Sequence, residues 1–198
     1  MVTSVGSVAE LIAAVSAGSR VDYLFFWGHQ PRADGRIGAE CLSQWWPAPF
    51  TLDGLRFATA EHYMMWRKAV LFDDHARAAQ ILTVDSPEAV KALGRRVVGF
   101  DPQTWQRHRF GIVVTGNRAK FDQHRALGAY LLDTGERVLV EASPFDQVWG
   151  IGLAADHPDA TDPARWRGLN LLGFALMRAR AGQRESVETG GDRQSRLR

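Results

Sequence analysis

The stretch TAEHYMMWRKA, residues 59–69, is the segment around which the rest of the chain is organised. Its composition predicts a helix. Glu61 and Lys68 are seven residues apart, a spacing that returns to almost the same helix face about 10 Å further along the axis. Met64 and Met65 lie between them on or beside that face. The pattern fits a small ligand lying along the helix, but spacing alone favours a simpler interpretation, in which the acid complements the helix dipole and the lysine is solvated.

Short strands and a turn precede this helix. Residues 23–27 form a compact aromatic run that predicts a buried strand. Residues 50–57 contain Asp53-Gly54 between two apolar runs, which predicts a hairpin with a type I′ turn. Thr59 follows as a candidate N-cap, so that Glu61 is expected in the first helical turn.

Helical signals dominate the remainder of the chain. Ser7, Ser86 and Asp101 each stand where an N-cap is expected, the last two before a proline. The absence of strand–helix–strand alternation argues against a doubly wound sheet. We therefore predict a mainly α fold with a few short β-strands. The further predicted elements are helices over residues 7–17, 73–82, 86–93, 101–121, 124–132 and from 171, and a strand over 137–141.

The length of 198 residues predicts a single domain with a sizeable core. We place this domain at residues 1–181, with its core at 23–180. Residues 182–198 have almost no apolar content, which predicts a disordered C-terminal tail.

Composition excludes several classes of protein. A formal charge of +2 gives no nucleic-acid footprint by itself. The single cysteine, Cys41, excludes an internal disulfide and is expected to be a buried structural thiol. No apolar run approaches the roughly 20 residues that span a bilayer, and no secretory signal is recognisable. We expect a soluble, cytoplasmic protein.

The motifs of several common chemistries are missing. The histidines show no zinc-ligand spacing, and neither a Walker loop, a dinucleotide fingerprint nor a Gly-x-Ser-x-Gly elbow occurs. We therefore expect neither a metal nor a redox cofactor.

Five segments in unbroken order resemble the NADAR superfamily, also called YbiA-like, over roughly residues 23–180. They are AEHYMMWRKA at 60–69, LGRRV at 93–97, NRAKF at 117–121, LLDTGERVLVEASPFDQVWGIGL at 131–153 and GLNLLGFALMRAR at 168–180. The resemblance implies a mainly helical, compact domain that cleaves N-glycosidic bonds. The substrates described for the family include phosphorylated ribosylamino-pyrimidine intermediates of riboflavin synthesis and ADP-ribose attached to guanine.

The resemblance also implies which residues form the site. Gln44 departs from the family's usual Ser-Asn-aromatic pattern, so base recognition is expected to differ there. The loop at 28–38 matches no family motif. The residues that match are Ser43, Trp45, Glu61, Lys68, Asp146, Trp149, Gly150 and Asn170.

Cleavage of an N-riboside builds positive charge on the anomeric carbon and requires a proton for the leaving nitrogen, and carboxyl groups meet both needs. We expect Glu61 to stay ionised at its helix start and to stabilise the cation or activate water. Asp146 is the second carboxylate candidate. Lys68 has two candidate roles, as an ammonium that holds phosphate or as a neutral amine that attacks the ribose carbon to give a Schiff base.

The remaining candidates each keep a structural alternative. Arg95 and Arg96 are phosphate ligands or a solvated basic turn. Asn170 either binds an anion at the N-terminus of the last helix or serves only as the N-cap of that helix. Trp45 or Trp149 stacks on the base, and Trp149 fits a core position equally well.

Three functions follow from this interpretation. The first is hydrolysis of a phosphorylated ribosylamino-pyrimidine, a small-molecule substrate that suits the near-neutral charge. The second is removal of ADP-ribose from guanine in nucleic acid, the only function with a nucleic-acid partner. The third is a non-catalytic module that binds ADP-ribose or a nucleotide. No membrane partner is expected, and the sequence predicts no oligomeric state.

Overall fold

The computed structural model describes residues 5–195 of the chain. Within this range helices dominate, and the predicted mainly α fold with a few short strands is confirmed. The helices are α1 Val8–Ser16, α2 Ala60–Leu71, α3 His75–Ile81, α4 Pro87–Gly94, α5 Pro102–Gln123, α6 Arg125–Asp133 and α7 Leu171–Ser195. The strands are β1 Tyr23–Phe26, β2 Phe50–Leu52, β3 Leu55–Phe57 and β4 Val138–Glu141.

Local chemistry accounts for most element boundaries. The Thr59 side chain accepts a hydrogen bond from the His62 N–H, which caps α2 as predicted. Ser86 and Asp101 cap α4 and α5 in the same way, each before a proline. Between β2 and β3, Asp53 and Gly54 have φ angles of 51° and 77°, as the predicted type I′ turn requires.

The parallel pairing of β1 with β4 positions the functional site. The register runs from Tyr23 opposite Val138 to Phe26 opposite Glu141, so both strands end at the same edge. The connection between them contains five helices, α2 to α6, and α7 then packs on β4 and α5. The segments that follow β1 and β4 are therefore brought together although they are more than a hundred residues apart in sequence.

The helical core surrounds α2. Its buried face includes Ala60, Tyr63, Met64 and Ala69, and it packs against α3, α4 and α5. Gly116 of α5 lies so close to the Tyr63 ring that an added Cβ would be 2.5 Å from it. Gly116 therefore permits close packing of α5 against α2, and α5 is continuous through it.

The predicted disordered tail needs correction. Helix α7 continues to Ser195 instead of ending near residue 182. The Gln183 amide donates to Asp122 Oδ1 at 2.8 Å, and Arg184 donates to the Gly135 carbonyl at 2.7 Å. These polar contacts hold the helix just beyond residue 182, where the low apolar content had suggested that it stops. The predicted domain also includes residues 1–4 and the predicted tail includes residues 196–198, and both segments lie outside the described residues.

None of the helices in the described range has the length and apolar character needed to cross a membrane.

Candidate active site

A cavity of about 820 Å³ lies between α2, α4, α5 and the segments that follow β1 and β4. A volume of this size is typical of small-molecule sites. Its wall is apolar at Met64, Met65 and Leu172 and carries both charges elsewhere. The charged lining residues are Glu61, Lys68, Lys91, Arg95, Arg109, Glu141 and Asp146, and the tryptophans and phenylalanines are Phe26, Trp27, Trp45, Trp105, Phe145 and Trp149.

Helix α2 presents Glu61 and Lys68 to this cavity on one face, as their spacing predicts. Glu61 is only 3% exposed, and its Oε1 atom has no hydrogen-bond partner in the described residues. Burial raises the Glu61 pKa to about 7, although Lys91, a hydrogen bond from the Trp45 side chain and Arg95 oppose the rise. The expectation that Glu61 stays fully ionised is therefore wrong, because desolvation outweighs the helix dipole.

Lys68 is held at the far end of the same face. Its ammonium Nζ donates to the Gly94 carbonyl at 2.8 Å and lies 4.1 Å from the centre of the Phe100 ring. Burial lowers the pKa of Lys68 below its usual value. The cation–π contact favours the charged form, while burial favours the neutral amine that a Schiff base requires.

The loop after β4 carries Asp146 and Trp149 to the cavity wall. The Asp146 Oδ1 atom accepts hydrogen bonds from the N–H groups of Val148 at 2.8 Å and Trp149 at 2.7 Å. One carboxylate oxygen of Asp146 thus fixes the turn that places the Trp149 ring. Trp149 is partly buried and also packs against the core, so its two interpretations are compatible.

The segment Ser43–Trp45 lines the opposite side of the cavity. The Trp45 N–H donates to Ser43 Oγ at 3.2 Å, and the Trp45 ring lies 5.4 Å from the His29 ring. Gln44 is buried, and its side-chain oxygen accepts a hydrogen bond from Asn117 at 2.8 Å. The longer side chain at this position is therefore accommodated by a partner on α5.

The fully buried Lys120 holds the main chain of residues 41–43 through hydrogen bonds. Lys120 Nζ donates to the carbonyl oxygens of Cys41 at 2.7 Å and Ser43 at 2.9 Å. Burial lowers the pKa of Lys120 to about 7. Cys41 is completely buried, as expected for a structural thiol, and its pKa is raised to about 12.

Lys91, Arg109 and Glu141 also line the cavity, although the sequence did not predict them as site residues. Lys91 Nζ lies 5.7 Å from the Trp45 ring, and burial lowers the pKa of Arg109, which Asp146 partly restores. Burial raises the Glu141 pKa to about 8, with Asp146 and Glu61 adding to the rise. Glu141 lies at the end of a predicted strand, which was one indication that it could be a site residue. The parallel pairing of β1 with β4, which brings Glu141 to the cavity, could not be predicted from the sequence.

Three predicted site residues lie outside the cavity wall. Arg96 is exposed on the turn after α4, beyond Arg95, so the solvated-turn interpretation fits it. Gly150 is buried, and an added Cβ would be 2.7 Å from the Glu141 carbonyl oxygen, so this glycine permits close packing. The Asn170 amide joins the start of α7 to β4, with Nδ2 donating to Leu139 O at 2.9 Å.

The His62 ring on α2 makes hydrogen-bonding contacts within the fold. Its ring nitrogens lie 2.8 Å from Thr59 Oγ1 and 2.9 Å from the Val84 carbonyl oxygen, and the ring is buried. His62 is therefore a structural hydrogen-bonding residue. Among the described residues, no cluster of three or more His, Cys, Asp or Glu side chains could hold a metal ion.

Comparison with known proteins agrees with this fold. The NADAR domain family model matches residues 25–184. The chain is 43% identical to N-glycosidase R617 of Acanthamoeba polyphaga mimivirus over 163 residues, 80% of this chain and 94% of the relative. It is 32% identical to N-glycosidase YbiA of Escherichia coli K12 over 132 residues, 67% of this chain and 74% of the relative.

The NMR structure of the E. coli protein YbiA has a similar fold, with a TM-score of 0.66 and 26% identity over 86% of this chain and 89% of that one. The fold, the carboxyl-lined cavity and these relatives define the protein as a hydrolase of N-glycosidic bonds. The chain belongs to the NADAR family.

Proposed function

We propose that the protein hydrolyses the N-ribosidic bond of a phosphorylated ribosylamino-pyrimidine. The observation that carries this proposal is the convergence of Glu61, Glu141 and Asp146 on one cavity that also contains the amines of Lys68 and Lys91. Carboxyl groups stabilise the cationic ribose carbon and move protons, and cations hold the phosphate. This combination suits a small, anionic riboside.

Glu61 is the residue proposed to act at the ribose carbon. With a pKa of about 7, a substantial fraction is ionised at neutral pH, and the ionised form stabilises the developing cation or takes a proton from water. Its burial strengthens this interaction, because the local dielectric constant is low. Asp146 adds negative charge to the same region and fixes the loop that carries Trp149.

The phosphate is proposed to lie on the basic side of the cavity. Arg95 is an exposed guanidinium at its edge, and Lys91 and Arg109 line the wall. Guanidinium groups match two phosphate oxygens at once, whereas lysine acts as a point charge. Lys68 contributes either to this anion site or, as a neutral amine, to a covalent imine with the ribose.

A second candidate substrate is ADP-ribose attached to guanine. The rings of Trp27 and Phe145 are 58% and 86% exposed, with centres 6.2 Å apart, and both line the cavity. Exposed aromatic rings at a site entrance commonly mark a binding surface. A second base joined through phosphates would reach such a surface, whereas the small pyrimidine riboside would not need it.

An activity screen distinguishes these candidates. Purified protein is incubated with a phosphorylated ribosylamino-pyrimidine and, separately, with an ADP-ribosylated guanine nucleotide, and the release of free base and ribose phosphate or ADP-ribose is measured. Preferential turnover of the first substrate supports the proposal. A clear preference for the second substrate, with a KM that rises in Trp27→Ala and Phe145→Ala, would favour the alternative, and no turnover of either would contradict both.

A further inference from the structure

Glu141 occupies a distinctive position in the fold. It is the last residue of β4, opposite Phe26 at the end of β1, and the chain segments that follow both strands line the cavity. Ligands commonly bind at the carboxyl ends of parallel strands, where loops diverge. Glu141 is therefore the carboxyl group that the sheet itself presents to the cavity.

The main chain of Glu141 is fixed on both sides. Its N–H donates to Asn170 Oδ1 at 3.0 Å, and its carbonyl oxygen accepts from the Ile151 N–H at 2.9 Å. Gly150 leaves room for this contact, since a side chain there would collide with the same carbonyl oxygen. Asn170 adopts a φ of 49°, in the left-handed region that non-glycine residues rarely occupy. Strain of this kind is commonly found next to functional groups.

The side chain of Glu141 lacks the partners that a structural carboxylate would have. Its Oε2 atom is buried and has no hydrogen-bond partner within the described part of the chain. An unpaired carboxylate in this position is costly, whereas the protonated acid is tolerated. The charged groups that act on it are Asp146 on its own loop, Glu61 from α2 and Lys91 from α4.

We propose that Glu141 is the general acid that protonates the leaving nitrogen. As the bond between the ribose anomeric carbon and nitrogen breaks, its electron pair passes to nitrogen, which takes the carboxyl proton of Glu141. Water adds to the anomeric carbon and loses a proton to ionised Glu61, and transfer of that proton from Glu61 to the Glu141 carboxylate restores both groups. One water is consumed, and the products are the free base and the ribose phosphate.

This assignment rests on the proposed N-ribosidase activity. It gives Glu141 and Glu61 different roles in the reaction. Lys91, a hydrogen bond from Trp45 and Arg95 all lower the pKa of Glu61 and so favour its ionised form. Only Lys91 lowers the pKa of Glu141, whereas burial, Asp146 and Glu61 raise it and favour the protonated form. Pairs of carboxyl groups whose environments separate their pKa values commonly divide acid and base roles. Glu141 then donates the proton, and ionised Glu61 acts at the ribose carbon.

The test compares the pH–rate profiles of wild type, Glu141→Gln and Asp146→Asn on the substrate that the screen identifies. Glu141→Gln keeps the shape of the side chain and both main-chain hydrogen bonds. We expect kcat to fall about 100-fold or more, KM to stay within about threefold, and the alkaline limb to disappear. Asp146→Asn should keep an alkaline limb but move it to lower pH, because Asp146 raises the Glu141 pKa.

The possible outcomes separate two failures. If the wild type releases no base from either substrate, the proposed function fails. If the wild type is active but Glu141→Gln keeps its rate and its alkaline limb, only the assignment of the acid is overturned. Should Glu141→Gln not fold, the wild-type profile decides: kcat that falls above about pH 8 supports the acid, and a flat kcat to pH 10 overturns it.

Discussion

The Oδ1 atom of Asn170 accepts a hydrogen bond from the N–H of Glu141 at 3.0 Å, while Nδ2 of the same amide donates to Leu139 O at 2.9 Å. Asn170 is completely buried and immediately precedes α7. One side chain therefore joins the start of the last helix to the end of β4. This bridge fixes the position of a cavity carboxyl group without contacting the cavity.

Removal of this bridge should impair turnover more than binding. Asn170→Gly keeps the left-handed backbone conformation but loses both hydrogen bonds, so we expect about 1–3 kcal/mol of destabilisation. Turnover should fall about 10- to 100-fold because Glu141 is displaced. Asn170→Asp keeps the acceptor for the Glu141 N–H and should recover part of kcat. Urea unfolding and steady-state kinetics measure the two effects, and equal kcat losses in both variants would argue against a positioning role.

Lys120 should make stability depend on pH. Burial lowers its pKa from the ordinary value of 10.5 to about 7 in the folded protein, so between these values the unfolded chain binds more protons. The contribution of Lys120 to stability is therefore fully present above the pKa that Lys120 has in the unfolded chain. It is lost as the pH falls through the lower pKa that Lys120 has in the folded protein.

The variant Lys120→Met tests this dependence. It leaves the carbonyls of Cys41 and Ser43 without their donor, at a cost of about 1–3 kcal/mol for each unsatisfied group. The difference in unfolding free energy between wild type and variant should widen as pH rises from 7 to 10. A constant difference over that range would show that Lys120 does not titrate in the fold as its burial implies.

Lys91 should set the position of the pH optimum. It lowers the pKa of both Glu61 and Glu141, so Lys91→Met should raise both values. A reaction that needs ionised Glu61 and protonated Glu141 has a rate that depends on pH in a bell shape. Because the two groups interact, the two limbs of this pH–rate profile report apparent pKa values of the pair and not of each residue alone. We expect both limbs to move to higher pH. Arg96→Met removes one positive charge from an exposed position outside the cavity and should leave the limbs unchanged, and an equal shift in both variants would point to a general charge effect.

Lys68 can be tested for a covalent role. Borohydride reduction during turnover, followed by mass analysis, should show a ribosyl adduct on the Lys68 peptide if the neutral amine forms an imine. The peptides that contain Lys91 and Lys120 provide internal controls. Lys68→Arg keeps a cation for phosphate but cannot form the imine, so its turnover should be lost. Retained turnover without any adduct would assign Lys68 to phosphate binding alone.

Sequence analysis predicted the features that depend on local chemistry. The caps at Thr59 and Asp101 and the Asp53-Gly54 turn follow from side chains that act on their immediate neighbours. The common face of Glu61 and Lys68 follows from helical geometry. Such features need no knowledge of tertiary structure.

Features that depend on tertiary structure were not predictable in the same way. Glu141 becomes a site residue only because β1 and β4 pair in parallel across a long crossover. The Glu61 pKa is set by burial, which other segments of the chain provide and which reverses the expectation from the helix dipole. Asn170 matched a family motif, but sequence could not show that its amide hydrogen-bonds to the main chain of β4.

The measurement that tests the central claim most directly compares Glu61→Gln with wild type for binding and for base release on the same phosphorylated riboside. Gln keeps the size of the side chain but can neither stabilise the cation by charge nor accept a proton from water. We expect Kd to remain within a few-fold and release of free base to fall at least about 100-fold. Tight binding by both proteins with no base released by either would contradict the account and identify a binding module.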